Sequence, residues 1–153
     1  MKKILNLIIF LGVFYTSNAQ SEFKISDTLN VSNINKSEVF ESWLEFIAVN
    51  FKSANNVIQY QNKERGKIIL KGDFNDEFRT NFTLSLGLTE NGWNYTFANI
   101  KSLQYEYDYI KGDSDCYTKQ CRTNIKKWKE STLGNFNGLI KNIINTTGLL
   151  KDK

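Results

Sequence analysis

Between Thr80 and Leu88 every second residue is apolar: Phe82, Leu84, Leu86 and Leu88 alternate with Asn81, Thr83, Ser85 and Gly87. A period of two over that length predicts a strand with one dry face and one wet face. Glu90-Asn91-Gly92 follows, and Asn-Gly between alternating segments is a hairpin signal. In the returning strand Trp93, Tyr95 and Phe97 alternate with Asn94, Thr96 and Ala98. One apolar face and one small or polar face predict a sheet covered on a single side. Tyr105, Tyr107 and Tyr109 alternate with Glu106 and Asp108, so the strand is expected to run on, or bend, through Ser102 to Tyr109. Upstream, Val57–Gln61 and Lys67–Lys71 read as two short strands joined by Asn62–Gly66, with Gly66 able to take positive φ. Phe23, Ile25, Leu29 and Val31 place a first strand between Phe23 and Ile34.

Two segments carry the helical period instead. Asn35 and Glu38 stand at capping-box spacing, and Phe40, Trp43, Leu44, Ile47 and Phe51 then recur every three or four residues. This predicts a helix of about four turns with an aromatic core face. Toward the C-terminus Ile125, Trp128, Leu133, Phe136, Ile140, Ile143 and Ile144 form a second stripe leading toward Leu150. Gly134 and Gly138 weaken its middle, which predicts a kink, or two helices meeting near residues 131–135. The order is strand, helix, four antiparallel strands, helix. That is an α+β class, two-layer, with a twisted antiparallel sheet and helices packed on one face.

The N-terminus bears on the compartment. Lys2 and Lys3 precede an apolar run from Ile4 to Tyr15, followed by Thr16-Ser17-Asn18-Ala19 with small residues at the −3 and −1 positions. This is the pattern of a signal peptide over residues 1–19, too short to span a bilayer, with the mature domain expected at 20–153 in the periplasm or outside the cell. About 134 residues suffice for one domain and not for two. No integral membrane span is expected after leader removal. Loss of Lys2 and Lys3 lowers the formal charge from +4 to +2, which leaves little to neutralise phosphates, so no nucleic-acid partner is expected. The chain has no histidine, which removes Ser-His-Asp and Cys-His catalysis and histidine-ligated zinc.

The stretch FESWLEFIAVNFKSANNVIQYQNKERGKIILKG, starting at Phe40, resembles a family of exported bacterial proteins without an assigned activity that have a TATA-binding-protein-like fold. The resemblance rests on a tryptophan-bearing first helix (Trp43) and on two passages: Phe51-Lys52-Ser53-Ala54-Asn55-Asn56-Val57-Ile58-Gln59 and Gly66-Lys67-Ile68-Ile69-Leu70-Lys71-Gly72. The turn and strand NGWNYTFANI is a second echo. The motifs cover Phe40 to Ile100. Asn94 stands where the family usually has arginine, and Asn62 where it usually has aspartate. The resemblance implies a β-α-β(4)-α domain and no particular chemistry.

Candidate chemistry is sparse. Gly66-Lys67 is not a phosphate-binding loop, because Gln61 and Ile68 replace the glycine and hydroxyl residue that loop requires. Asp73, Asp76 and Glu77, and again Asp113 and Asp115 with Glu106 and Asp108 nearby, offer a calcium site, an acid/base pair or solvated loops. The spacing around Asp73 does not fit a calcium loop, and no metal or cofactor is expected. Tyr105, Tyr107 and Tyr109 are a stacking platform or half-buried strand residues, and Lys126, Lys127 and Lys129 a wet helix face opposite Trp128. Cys116 and Cys121 are expected to pair in an oxidising compartment. On a straight helix their Cα atoms would be about 8 Å apart, so the bond requires a turn at Tyr117–Gln120. Ligand-binding residues are expected on the wet sheet face: Thr83, Ser85, Asn94 and Thr96. The leading expectation is a non-catalytic binding module for a protein, peptide or glycan partner. The alternative is a histidine-free hydrolase using Asp113 and Asp115.

Overall fold

A computed structural model describes residues 24–31, 34–51, 53–103 and 116–147 of the chain. The expected leader, the Tyr105–Tyr109 segment and the acids Asp113 and Asp115 lie outside the described residues. Five strands, β1 (Ile25–Asn30), β2 (Ile58–Asn62), β3 (Lys67–Phe74), β4 (Thr80–Thr89) and β5 (Gly92–Ser102), form one sheet in the order β1-β5-β4-β3-β2, with every neighbour antiparallel. The helices are α1 (Lys36–Asn50), a single turn α2 (Ala54–Val57) and α3 (Lys119–Thr147).

The connection between the two sheet edges explains α1. β1 lies at one edge beside β5 and β2 lies at the other. Crossing five strands takes four spacings, about 19 Å, and the 15 residues of α1 span about 22 Å. The helix is therefore long enough to carry the chain from edge to edge under one face. Its start is fixed by Asn35, whose Oδ1 accepts from the Ser37 and Glu38 amides while its Nδ2 donates to Glu38 Oε1 at 2.7 Å. The Asn35–Glu38 box closes through side chains on both sides.

Val39, Phe40, Trp43, Phe46 and Ile47 of α1 are buried against the sheet. Trp43 meets Trp93 edge to face at 5.4 Å, and Phe136 of α3 stacks on Phe97 at 3.9 Å. Both helices thus cover the same face, the one carrying Phe82, Leu84, Leu86, Trp93 and Phe97. Val39 and Phe46 widen the stripe, while Leu44 and Phe51 are only partly buried.

Two features of the strands depart from simple alternation. Ile58 pairs with Leu70 and Tyr60 with Ile69, so Gln59 is an extra residue in β2. Thr83 pairs with Ala98 and Asn81 with Lys101, so β5 also holds an extra residue, and Asn99 there has φ +52°. Asparagine tolerates that left-handed conformation better than most side chains. Past Asn99 the phase flips: Ile100 and Ser102 now face the helices and are buried. β5 ends at Ser102.

α3 corrects the sequence reading. It runs as one helix for 29 residues through 131–135, not as two helices meeting there. Its buried stripe is Ile125, Trp128, Thr132, Phe136, Ile140 and Ile143, and Leu133 is 40 % exposed. Gly134 and Gly138 lie on the water side, where an added Cβ would meet nothing within 4 Å. Their only cost is helix propensity, so Gly134→Ala combined with Gly138→Ala is expected to stabilise the protein by about 1–2 kcal/mol. Urea denaturation followed by circular dichroism checks this; a net loss would show that packing, not propensity, keeps these positions small.

Before α3 the chain turns as disulfide formation requires. Cys116 and Cys121 are bonded with Cα atoms 5.6 Å apart. Cys116 precedes the helix, and Thr118 caps it by accepting from the Cys121 amide through Oγ1 and from the Arg122 amide through its carbonyl.

Candidate functional site

The sheet face away from α1 and α3 carries short polar side chains in register. Ser26, Thr96, Ser85, Ile69 and Tyr60 form one row across all five strands. Thr28, Asn94, Gly87, Lys67 and Asn62 form the next. On the other side of the first row lie Ala98, Thr83 and Lys71, then Lys101, Asn81 and Asp73. The four expected site residues therefore share one surface, with Ser85 and Thr96 direct partners and Thr83 and Asn94 in the flanking rows. Asn94 is exposed and the other three are half-buried. The Asn94 amide lies over Gly87, whose added Cβ would come within 2.7 Å of Asn94 Oδ1.

The two bulged residues, Gln59 on β2 and Asn99 on β5, lie at the same end of this face. With α2 they border an open cavity of about 630 Å³. Four amide side chains line it, Asn56, Gln59, Asn81 and Asn99, with the hydroxyl of Thr83 and the apolar Val57 and Phe82. Lys71, Lys101 and Asp73 supply its charge. Asn99 Nδ2 donates to Thr83 Oγ1 at 3.3 Å, and Gln59 Nε2 donates to the Asn56 carbonyl at 3.2 Å. Of the expected site residues only Thr83 lines the cavity; Ser85, Asn94 and Thr96 lie along the sheet from it. Reading the sequence missed the rest of this lining. One signal was available: Ile100 follows Phe97 by three positions, an odd step that marks an extra residue in a strand otherwise alternating by two.

The acidic residues divide. Asp76 is not a solvated loop residue: its Oδ2 accepts from Ser131 Oγ at 3.1 Å and Asn135 Nδ2 at 2.8 Å, and its Oδ1 accepts from the Phe78 amide at 3.1 Å. It fastens the β3–β4 connection to α3. Among the described residues no group of three histidine, cysteine, aspartate or glutamate side chains is placed to hold a metal ion. Asp27 faces Tyr95 across β1 and β5. Burial, and then the Asp27 carboxylate, raise the Tyr95 phenol above its ordinary value of 10.0. The raised value belongs to the folded state, so its contribution to stability is complete below pH 10 and is lost as pH rises through the raised value. Tyr95 points to the helix side and is no part of the candidate site.

On α3, Trp128 is fully buried while Lys126 and Lys127 are exposed on the face opposite. Lys119, Arg122, Thr123 and Lys126 border a smaller concavity of about 320 Å³, where Arg122 Nε donates to the Cys116 carbonyl. No helix among the described residues is long and apolar enough to cross a membrane.

This α+β arrangement defines a class of protein. The chain belongs to the family described as a domain of unknown function (DUF4468) with TBP-like fold, whose model matches residues 26–102. The chain is similar to a DUF4468 family protein from Bacteroides ovatus, with a TM-score of 0.64 and 12 % identity over 86 % of this chain and 90 % of that one. It is also similar to a TBP-like protein from Parabacteroides distasonis, with a TM-score of 0.57 and 15 % identity over 81 % and 94 % of the two chains. At such identity the likeness establishes the fold. No curated protein matches the chain.

Proposed function

We propose that the protein is an exported, non-catalytic binding module that takes its ligand on the outer sheet face. In this reading residues 1–19 are a removed leader, and 20–153 act in the periplasm or outside the cell. The observation that carries the binding reading is the outer face itself. Thr83, Ser85, Asn94 and Thr96 present donors and acceptors on two adjacent strands, and the two bulges bound a cavity at its end. Rigid strands hold such groups at fixed spacing, which is what recognition without chemistry requires. The disulfide supports export, since such bonds persist in oxidising compartments.

The rival, a carboxylate-dependent hydrolase built on Asp113 and Asp115, makes the opposite prediction about variants. Thr83→Arg and Thr96→Arg are expected to abolish partner recovery in pull-downs from the native host, with circular dichroism unchanged. Asp113→Ala and Asp115→Ala are expected to leave recovery intact, and the recovered protein should begin at Gln20. Loss of function from the aspartate changes, with the threonine changes silent, would favour the hydrolase.

A further inference from the structure

We infer that the cavity between the two bulges binds an acidic saccharide: a hydroxyl-rich ligand carrying an anionic group. The inference rests on the binding-module reading and adds the chemistry of the ligand. The cavity's volume of about 630 Å³ falls within the roughly 300–1,000 Å³ usual for small-ligand sites, but its lining differs from the mostly apolar norm. Asn56, Gln59, Asn81 and Asn99 each present a carbonyl acceptor and an amino donor on a single planar group. Sugar hydroxyls donate and accept at once, so an array of amides matches them where an apolar ligand would leave those groups unpaired.

Charge supplies the second half of the argument. Lys71 on β3 and Lys101 on β5 both line the cavity, on opposite sides of Asn81 and Thr83 of β4. Neither lysine makes an ion pair among the described residues. Among the described residues Asp73 is the sole carboxylate in the lining; it stands two residues from Lys71 on β3 and two strands from Lys101 in the shared row, about 10 Å between backbones. The described lining therefore carries one net positive charge, with two ammonium groups that make no ion pair among the described residues. A neutral sugar would leave both without a partner; a bare ion would use neither the four amides nor the volume.

Asn99 is the residue on which the site turns. Its left-handed backbone creates the bulge, and its amide holds Thr83 Oγ1 inside the cavity. Asn99→Gly keeps the backbone conformation and removes the amide, which separates ligand contact from folding.

The test is an NMR titration of the full mature chain with three probes: trigalacturonic acid, maltotriose and inorganic sulfate. Trigalacturonic acid is expected to shift the amides of residues 56–59, 71–73, 81–83 and 99–101, and to bind at least tenfold more tightly than either maltotriose or sulfate. Lys71→Gln with Lys101→Gln is expected to weaken the acidic probe about tenfold or more, the loss of one charge-assisted hydrogen bond, without changing maltotriose. Asn99→Gly is expected to weaken both saccharides. Equal affinity for the two saccharides at the cavity would overturn the acidic class and leave the binding module standing. Sulfate binding as tightly as trigalacturonate, or shifts centred on Lys119 and Arg122, would overturn the saccharide inference. Absence of cavity shifts with every probe would overturn it too; if Thr83→Arg still abolished partner recovery, only the ligand class would have failed.

Discussion

Trp128→Ala is expected to remove about 3–5 kcal/mol of stability, the range for deleting a large aromatic from a core, and with it most of the folded population at physiological temperature. The side chain is fully buried, and its Nε1 donates to Thr80 Oγ1 at 2.9 Å. Thr80 and Thr132 are buried as well, their hydroxyl oxygens 3.4 Å apart. Truncation opens a cavity and takes from the buried Thr80 hydroxyl the donor it accepts from, leaving the two threonines only each other. Trp128→Phe keeps one ring and loses part of the volume together with the donor; a cost of about 1–3 kcal/mol is expected. Trp43→Phe is the control. Trp43 is just as buried, but its Nε1 has no hydrogen-bond partner among the described residues, so phenylalanine there loses volume and also removes an unpaired donor. Urea unfolding should rank Trp128→Ala as most damaging, then Trp128→Phe, then Trp43→Phe. A larger loss at Trp43→Phe than at Trp128→Phe would mean that the Thr80–Trp128–Thr132 contacts contribute nothing.

The same cluster shows where sequence reading stopped. Periodicity picked Leu133 for the core because it is apolar, but a 3.6-residue period from Trp128 through Phe136 passes through Thr132. Hydropathy alone ranks the threonine as surface. Its burial becomes reasonable only once Thr80 and Trp128 are beside it, contacts 52 and 4 residues away in the chain. The unbroken α3 has the same origin. Gly134 and Gly138 were signals of a break only if they faced the sheet, and the phase that buries Thr132 turns them to water.

The outer face was legible for a sturdier reason. A hairpin with a two-residue turn preserves parity, so the polar residues of β4 and β5 fall on one side wherever the turn is centred. Glu90-Asn91-Gly92 suggested the hairpin turn; the structure pairs Thr89 with Gly92 and places Glu90 and Asn91 at the tip, neither with positive φ. The polar face follows from that parity. Thr83, Ser85, Asn94 and Thr96 still share it. The cavity was not legible in this way, because Gln59 and Asn99 come to border one cavity through the bulges, and bulges answer to strand pairing that no local pattern specifies.

Gly92, the first residue after the turn, is where β5 meets β1. Its φ is +144°, and an added Cβ would lie 1.9 Å from the Leu29 carbonyl oxygen, 2.9 Å from its carbon and 3.1 Å from Asn30 Cα. All three are backbone atoms of β1, so no side-chain rotation relieves the clash. β1 sits in that space because Asn30 pairs with Gly92, Leu29 with Trp93, and the Val31 amide donates to the Asn91 carbonyl at 2.9 Å. Gly92→Ala must therefore either strain its own backbone, at about 1–3 kcal/mol, or release β1. Release would uncover Ile25 and Leu29, both packed against the core, so a total loss of about 3 kcal/mol or more is expected. Hydrogen exchange should show the amides of residues 25–31 losing protection while those of β3 and β4 keep theirs, since β3 and β4 pair with each other over eight positions away from the clash. A uniform loss across the sheet would mean that β1 unfolds only with the whole domain; protection of β1 unchanged, with stability within about 0.5 kcal/mol of the parent, would mean that the edge strand moves aside freely and that its pairing to β5 does not depend on Gly92.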